Sequence, residues 1–155
     1  MAETYRFATF NTELARKGPG LLLRDLARGE DPQITAVLGV LAHADADVVA
    51  LQGIDYDLTG AALTRLAAAA GYPHAFALRP NTGLATGLDM DGDGLLGGPR
   101  DAQGYGRFTG QGGMAVLSRY PVLADQVQDL SDLLWEDIPG ALLPEVNGAP
   151  FPSAE

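Results

Sequence analysis

The sequence contains no cysteine. A chain without thiols cannot form disulfides, hold zinc or an iron–sulfur cluster through thiolates, or use a cysteine nucleophile. No apolar run reaches the roughly 18 residues that a membrane-spanning helix needs, so the sequence predicts none. The first six residues lack the basic start and apolar core of a secretory signal. The compartment stays open, because a cytoplasmic protein and a processed periplasmic or extracellular protein share these features.

Basic residues are also scarce: 10 lysines and arginines stand against 20 acids, for a net charge of −10 over 155 residues. Proteins that hold nucleic acid by bulk electrostatics need a clustered basic surface, so we expect no stable bulk nucleic-acid binding. A metal ion could still bring a phosphate to an acidic protein. The apolar content of 46% indicates a globular chain.

The hydrophobic pattern predicts the order strand, two helices, strand, helix, strand, long loop, strand. Asp31 and Pro32 predict the start of the second helix, and the third helix is predicted over 58–70, followed by a strand over 72–78. This order favours an α/β layered domain, a mixed sheet with helices on one face. We predict one domain segment at 1–122, which includes a long Gly-rich loop at 79–113, and an irregular Pro- and Gly-rich segment at 123–155. Either this segment covers the second face of the sheet or part of the fold is missing, and we favour the second. An exposed apolar sheet face predicts a dimer or another pairing.

Three motifs occur in order along the chain: RFATFN at 6–11, DVVALQGID at 47–55 and GGMAVLSRYPV at 112–122. Together they resemble the endonuclease/exonuclease/phosphatase superfamily, also called the deoxyribonuclease-I-like fold. The resemblance implies the N-terminal half of a four-layer α/β sandwich and phosphoester hydrolysis that depends on Mg²⁺ or Mn²⁺. It also implies that Asn11, at the end of the first strand, helps to bind the metal.

The chain departs from the family pattern in two ways. The residue after Gln52 is normally a metal-binding Glu in that family, and here it is Gly53, which offers no oxygen ligand. Asp55, two positions further along an extended chain, is the replacement ligand we predict. The family's later catalytic His, its Asp-x-Asn pair and its closing Asp-His do not occur in these 155 residues, and His43 and His74 are interpreted as structural.

We therefore expect a member of a phosphoesterase family. Because the set of catalytic residues is incomplete, we expect this 155-residue chain to be inactive. The alternative is a non-catalytic calcium- or partner-binding module that keeps the fold. Residues 89–94 favour the hypothesis of a calcium-binding module, because the run D-x-D-x-D-G is similar to the start of an EF-hand calcium loop. The predicted ligands are Asp89, Asp91, Asp93 and Asp101. A solvated acidic turn is the other interpretation.

Several arginines lie in and around the long loop, and guanidinium groups match phosphate geometry with paired donors. Arg79, Arg107 and Arg119 are the candidates for binding the phosphate of a small or nucleotide-like phosphoester. The alternative is that each arginine pairs with one of the abundant acids.

Overall fold

The computed structural model describes residues 4–146 and 149–150. The chain divides into two compact units, Met1–Asp125 and Gln126–Glu155, whereas the sequence placed the division after residue 122. The first unit contains a four-stranded sheet and three helices, whose bounds are β1 Phe7–Asn11, α1 Leu21–Arg28, α2 Pro32–Ala44, β2 Val48–Ile54, α3 Ala61–Ala70, β3 His74–Phe76 and β4 Gly113–Ser118.

Local signals decide where the helices begin and end. The carboxylate of Asp31 accepts a hydrogen bond from the amide of Ile34 at 2.9 Å, and Pro32 occupies the first turn of α2, as the sequence predicted. Helices α1 and α3 both end at a glycine in the left-handed conformation, Gly29 and Gly71. Such a residue lets the chain turn away while the last carbonyls are still satisfied.

The sheet has the strand order β1-β2-β4-β3. Strand β2 runs parallel to β1, whereas β4 runs antiparallel to both β2 and β3. The register pairs Phe7 with Val48 at one end and Asn11 with Gln52 at the other. The sheet is therefore mixed, and the predicted α/β class is confirmed.

The helices pack on one face of this sheet and form the core there. Leu51 and Leu117 from the sheet are fully buried against Leu22 of α1, Leu41 of α2 and Leu66 of α3. Burying an aliphatic side chain of this size contributes about 1.5–3 kcal/mol relative to leaving it exposed. These contacts, rather than helix propensity, hold the short helices in place.

The opposite face of the sheet carries exposed apolar side chains. Phe7 is 73% exposed and Met114 is 67% exposed, and both follow the alternation that points away from the helices. The two side chains lie at opposite ends of this face, because Phe7 pairs with Val48 whereas Met114 pairs with Gln52. Pairing through this face stays a prediction.

The second unit contains a short 3₁₀ turn at Trp135–Asp137 and an antiparallel pair, β5 Glu145–Val146 and β6 Ala149–Pro150. Several of its large apolar side chains are exposed, including Leu130 and Leu142. Across the described part of both units, no helix has the length and apolar character needed to cross a membrane.

Asp57 holds the amino-terminal end of α3. Its carboxylate accepts hydrogen bonds from the amides of Ala61 at 3.0 Å and Ala62 at 2.8 Å, which have no partner within the helix. Thr59 donates to the same carboxylate through both its amide and its hydroxyl. Burial raises the pKa of Asp57, but these hydrogen bonds outweigh it and lower the pKa below its ordinary value.

We predict that Asp57→Ala lowers the free energy of unfolding by about 1–2 kcal/mol, because the first-turn amides of α3 lose their acceptor. Urea denaturation at neutral pH measures this loss. A carboxylate whose pKa is lowered by folding stabilises the protein above its unfolded pKa of about 3.9, and this contribution disappears as the pH falls through the folded pKa. The difference in the free energy of unfolding between wild type and variant should therefore become smaller as the pH falls.

Glu30→Ala is the matched control, since the exposed Glu30 forms no recorded hydrogen bond or ion pair in the described chain. It should leave the free energy of unfolding nearly unchanged. Equal losses in the two variants would contradict the role of Asp57.

Candidate functional site

The carboxyl ends of β1 and β2 and the start of β4 meet at one end of the sheet. Asn11 pairs with Gln52, and Gln52 pairs in turn with Met114. We name this end the Asn11 rim. Ligands of open α/β sheets collect beyond the carboxyl ends of the strands. A cavity of about 300 Å³ opens here, between β4, β3 and the segment that leads from Ile54 into α3.

Hydrogen bonds fix the chain where it leaves β1. The amide and the hydroxyl of Thr12 both donate to the carbonyl of Gln52 at 2.9 Å, and Thr12 is buried. The side-chain amide of Gln33 donates to the carbonyls of Thr12 and Glu13 at 3.1 and 2.7 Å. The amide of Glu13 donates to Asn11 Oδ1 at 3.2 Å. The segment 11–13 is therefore held firmly at the rim.

The backbone conformation and the close neighbours of residue 53 explain why this position is a glycine. It lies at an irregularity between β2 and β4, with a φ of 69° that favours glycine. A Cβ there would lie 2.6 Å from Asn11 Oδ1 and 3.0 Å from the amide nitrogen of Glu13. No glutamate, or any other side chain, fits at position 53 without moving Asn11 or the backbone of Glu13.

We predict that Gly53→Ala lowers the free energy of unfolding by about 2–4 kcal/mol, because the added methyl meets both backbone strain and the Asn11 side chain. Thermal or urea denaturation measures the loss. Gly39→Ala is the control, since Gly39 lies inside α2 with nothing within 4 Å of an added Cβ. That control should stabilise the chain by about 0.5–1 kcal/mol. A harmless Gly53→Ala would show that the rim has room for a side chain.

Glu13 is the rim residue that the sequence analysis did not single out. It is exposed, and its φ of 51° is unusual for a residue with a side chain. Its Cα lies 3.3 Å from the point where a Cβ of residue 53 would be. No local sequence signal identifies it, because the left-handed backbone is imposed by partners on β2 and α2.

Asp55 has a different environment from the one its spacing suggested. It is 6% exposed, and its two carboxylate oxygens accept hydrogen bonds from the amides of Arg16 at 2.8 Å and Gly112 at 3.0 Å. Burial raises the pKa of Asp55, and the hydrogen bonds from Gly112 and Arg16 offset only part of that rise. The Asp55 carboxylate thus links the loop that contains Arg16 to the loop that contains Gly112. Its role as a metal ligand stays a prediction.

The three candidate arginines do not come together. Arg79 follows β3 on the side of the sheet where Pro80 approaches Gly113, so it lies towards the Asn11 rim. The amide of Arg107 donates to Gln111, whose own side-chain amide donates to the carbonyl of Arg16. Arg107 therefore belongs to the loop that borders the same rim.

Arg119 lies at the opposite end of the sheet. Its guanidinium contacts Asp45 and, at 3.1 Å, Asp47, and these hydrogen bonds raise its pKa above the ordinary value. Arg16 is likewise occupied by Asp25 and Asp31, at 2.9 and 3.0 Å. For these two arginines the structure shows pairing with acids, the alternative that the sequence left open.

The acidic loop brings three of its four predicted ligands together. Asp89, Asp91 and Asp101 each place one carboxylate oxygen within 4.8 Å of the others. Asp93 is not part of this group, and its carboxylate accepts from the amide of Leu95 at 2.8 Å. Hard divalent cations take carboxylate oxygens, so the group offers the right chemistry for a metal, and the geometry does not specify which one.

A mixed sheet with helices on one face and polar groups at the carboxyl ends of its strands defines an α/β protein in which this edge is the candidate ligand site. The family model described as the endonuclease/exonuclease/phosphatase family matches residues 8–154, and the chain belongs to this family. Neither the search of curated proteins nor the search of solved structures returned a match.

Proposed function

We propose that this chain carries the metal-binding edge of a metal-dependent phosphoesterase of the nuclease or phosphatase type. The observation that carries the proposal is the family match over residues 8–154, with Asn11 exposed at the carboxyl end of β1 where the family resemblance expects a ligand. Amide and carboxylate oxygens suit Mg²⁺ or Mn²⁺. A divalent cation bound there would neutralise charge on a substrate phosphate.

The substrate that fits this edge is a small or nucleotide-like phosphoester. Arg79 and Arg107 are exposed and form no ion pair with any other described residue, so their guanidinium groups are free to meet a phosphate. The net charge of −10 opposes a long polyanion.

We further propose that these 155 residues do not turn over substrate alone, because they contain no Asp-x-Asn pair and no Asp-His. The test begins by sequencing the gene beyond the codon for Glu155 and expressing both the present chain and any longer product. Each is assayed on bis(p-nitrophenyl) phosphate with and without Mg²⁺ or Mn²⁺. We expect turnover only from a longer product, and only with the metal.

In that active product, Asn11→Ala should lower kcat/KM by roughly 10²-fold or more, since a charge-stabilising contact is lost. Gln128→Ala removes an exposed amide from the second unit and should leave kcat/KM unchanged. Turnover without metal, or a stop codon after Glu155 together with no turnover, would contradict the enzyme proposal and favour the binding module.

The second candidate function is calcium binding by the loop, and the close approach of Asp89, Asp91 and Asp101 favours it. The carboxylate of Asp101 is buried and accepts from the amides of Met90 and Gly98, which fixes its orientation. Three carboxylates held this close repel one another, and a bound Ca²⁺ would remove that repulsion.

We predict that Ca²⁺ raises the melting temperature of the chain, because it binds the folded loop and not the unfolded one. Asp91→Asn should weaken Ca²⁺ binding by at least about tenfold in isothermal titration, and Asp93→Asn should not. The pair is matched, since both are exposed aspartates two positions apart in the same loop. Equal effects of the two substitutions would indicate an ordinary acidic turn.

A further inference from the structure

The Asn11 rim leaves one carboxylate without a partner, that of Glu13. Its backbone amide and carbonyl are both engaged, by Asn11 Oδ1 and by the side chain of Gln33. The carboxylate itself forms no hydrogen bond or ion pair with any residue that the structure describes. An exposed glutamate is ordinary, but its backbone conformation is not.

A φ of 51° costs free energy in a residue that has a Cβ, and glycine would occupy this position without that cost. Thr12, Gln33 and Asn11 together hold the segment in this conformation. The chain therefore keeps a side chain where the backbone alone would favour none. What the side chain adds is a carboxylate at the rim.

Position 53, which follows Gln52 at the rim, supplies no carboxylate beside Asn11 because it is glycine. A Cβ at position 53 would lie 2.6 Å from Asn11 Oδ1 and 3.0 Å from the amide nitrogen of Glu13, so a side chain there would have to displace one or both of them. Glu13 itself lies next to Asn11, because its amide nitrogen is 3.2 Å from Asn11 Oδ1.

We propose that Glu13 supplies the carboxylate ligand of a divalent-metal site that it shares with Asn11. The inference rests on the proposed function, since both place a metal at the Asn11 rim. One carboxylate and one amide oxygen suit Mg²⁺ or Mn²⁺, which bind proteins through one or two carboxylates and retain water for the remaining positions. Asp55 is less suited, because it is only 6% exposed, whereas Asn11 and Glu13 both face the water that such an ion retains.

The test follows Mn²⁺ binding by the broadening of amide signals in NMR spectra of the 155-residue chain. It is performed on the Asp91→Asn background, so that the acidic loop does not compete for the metal. We expect added Mn²⁺ to broaden the amides of Thr12 and Glu13 first. Glu13→Gln should weaken this binding at least about tenfold. Glu30→Gln, which removes another exposed carboxylate, should leave it unchanged.

Glu13→Gly separates a ligand from a structural residue. It removes the carboxylate and relieves the left-handed strain, so this variant should lose Mn²⁺ binding while melting no lower than its background. A fall in melting temperature would assign Glu13 a structural role and overturn the inference.

Two further outcomes distinguish this inference from the proposed function. If Asn11→Ala abolishes Mn²⁺ binding but Glu13→Gln binds as tightly as the background chain, Glu13 is not a ligand and the metal-binding rim stands. If no variant or background chain shows broadening at Thr12 and Glu13, both the inference and the metal-binding rim are overturned.

Discussion

Two backbone amides that are distant in sequence converge on one buried carboxylate, that of Asp55. Arg16 lies in the connection between β1 and α1, and Gly112 is the last residue of the long loop before β4. Removing a carboxylate from water is costly unless its oxygens are hydrogen-bonded, and here both are. This contact joins the loop that follows β1 to the loop that precedes β4, on either side of the rim.

The two ends of the sheet use their charges differently. At the end away from the rim, Arg119 is neutralised by Asp45 and Asp47, and the backbone amide of Arg6 donates to Asp47 at 2.7 Å. Those charges are satisfied by folding itself. The Asn11 rim carries three charged side chains that form no ion pair with any described residue: Arg79, Arg107 and Glu13. A ligand that carries both a metal ion and a phosphate would complement that unpaired set.

Local chemistry made part of this fold predictable. The start of α2 at Asp31 and Pro32 depends on one side chain and the amide three residues later, so the sequence alone identified it. Helix α3 was predicted from residue 58 and begins at Ala61, because Asp57 and the left-handed Gly60 set its first turn. Strand β3 is shorter than predicted, since only three of its residues pair with β4.

The candidate site was less predictable because its geometry is set by contacts between distant segments. The spacing of Asp55 suggested a ligand, but the tertiary structure surrounds it with backbone donors. The left-handed backbone of Glu13 depends on Gln33 of α2, some twenty residues further along the chain. No alternation or helical period encodes such a relation.

The long connection between β3 and β4 holds these strands in one chain, but their pairing in the sheet does not depend on its middle residues. Leu95 and Leu96, near its middle, are 69% and 68% exposed, and no described helix or strand contains either of them. Strand β4 lies beyond them in sequence but between β2 and β3 in the sheet, with Leu117 fully buried in the core. A single backbone cut at this point would leave the carboxyl-terminal piece hydrogen-bonded on both sides. The loop at Leu95 and Leu96 is thus the place where the first unit can be divided into two fragments that pair with each other.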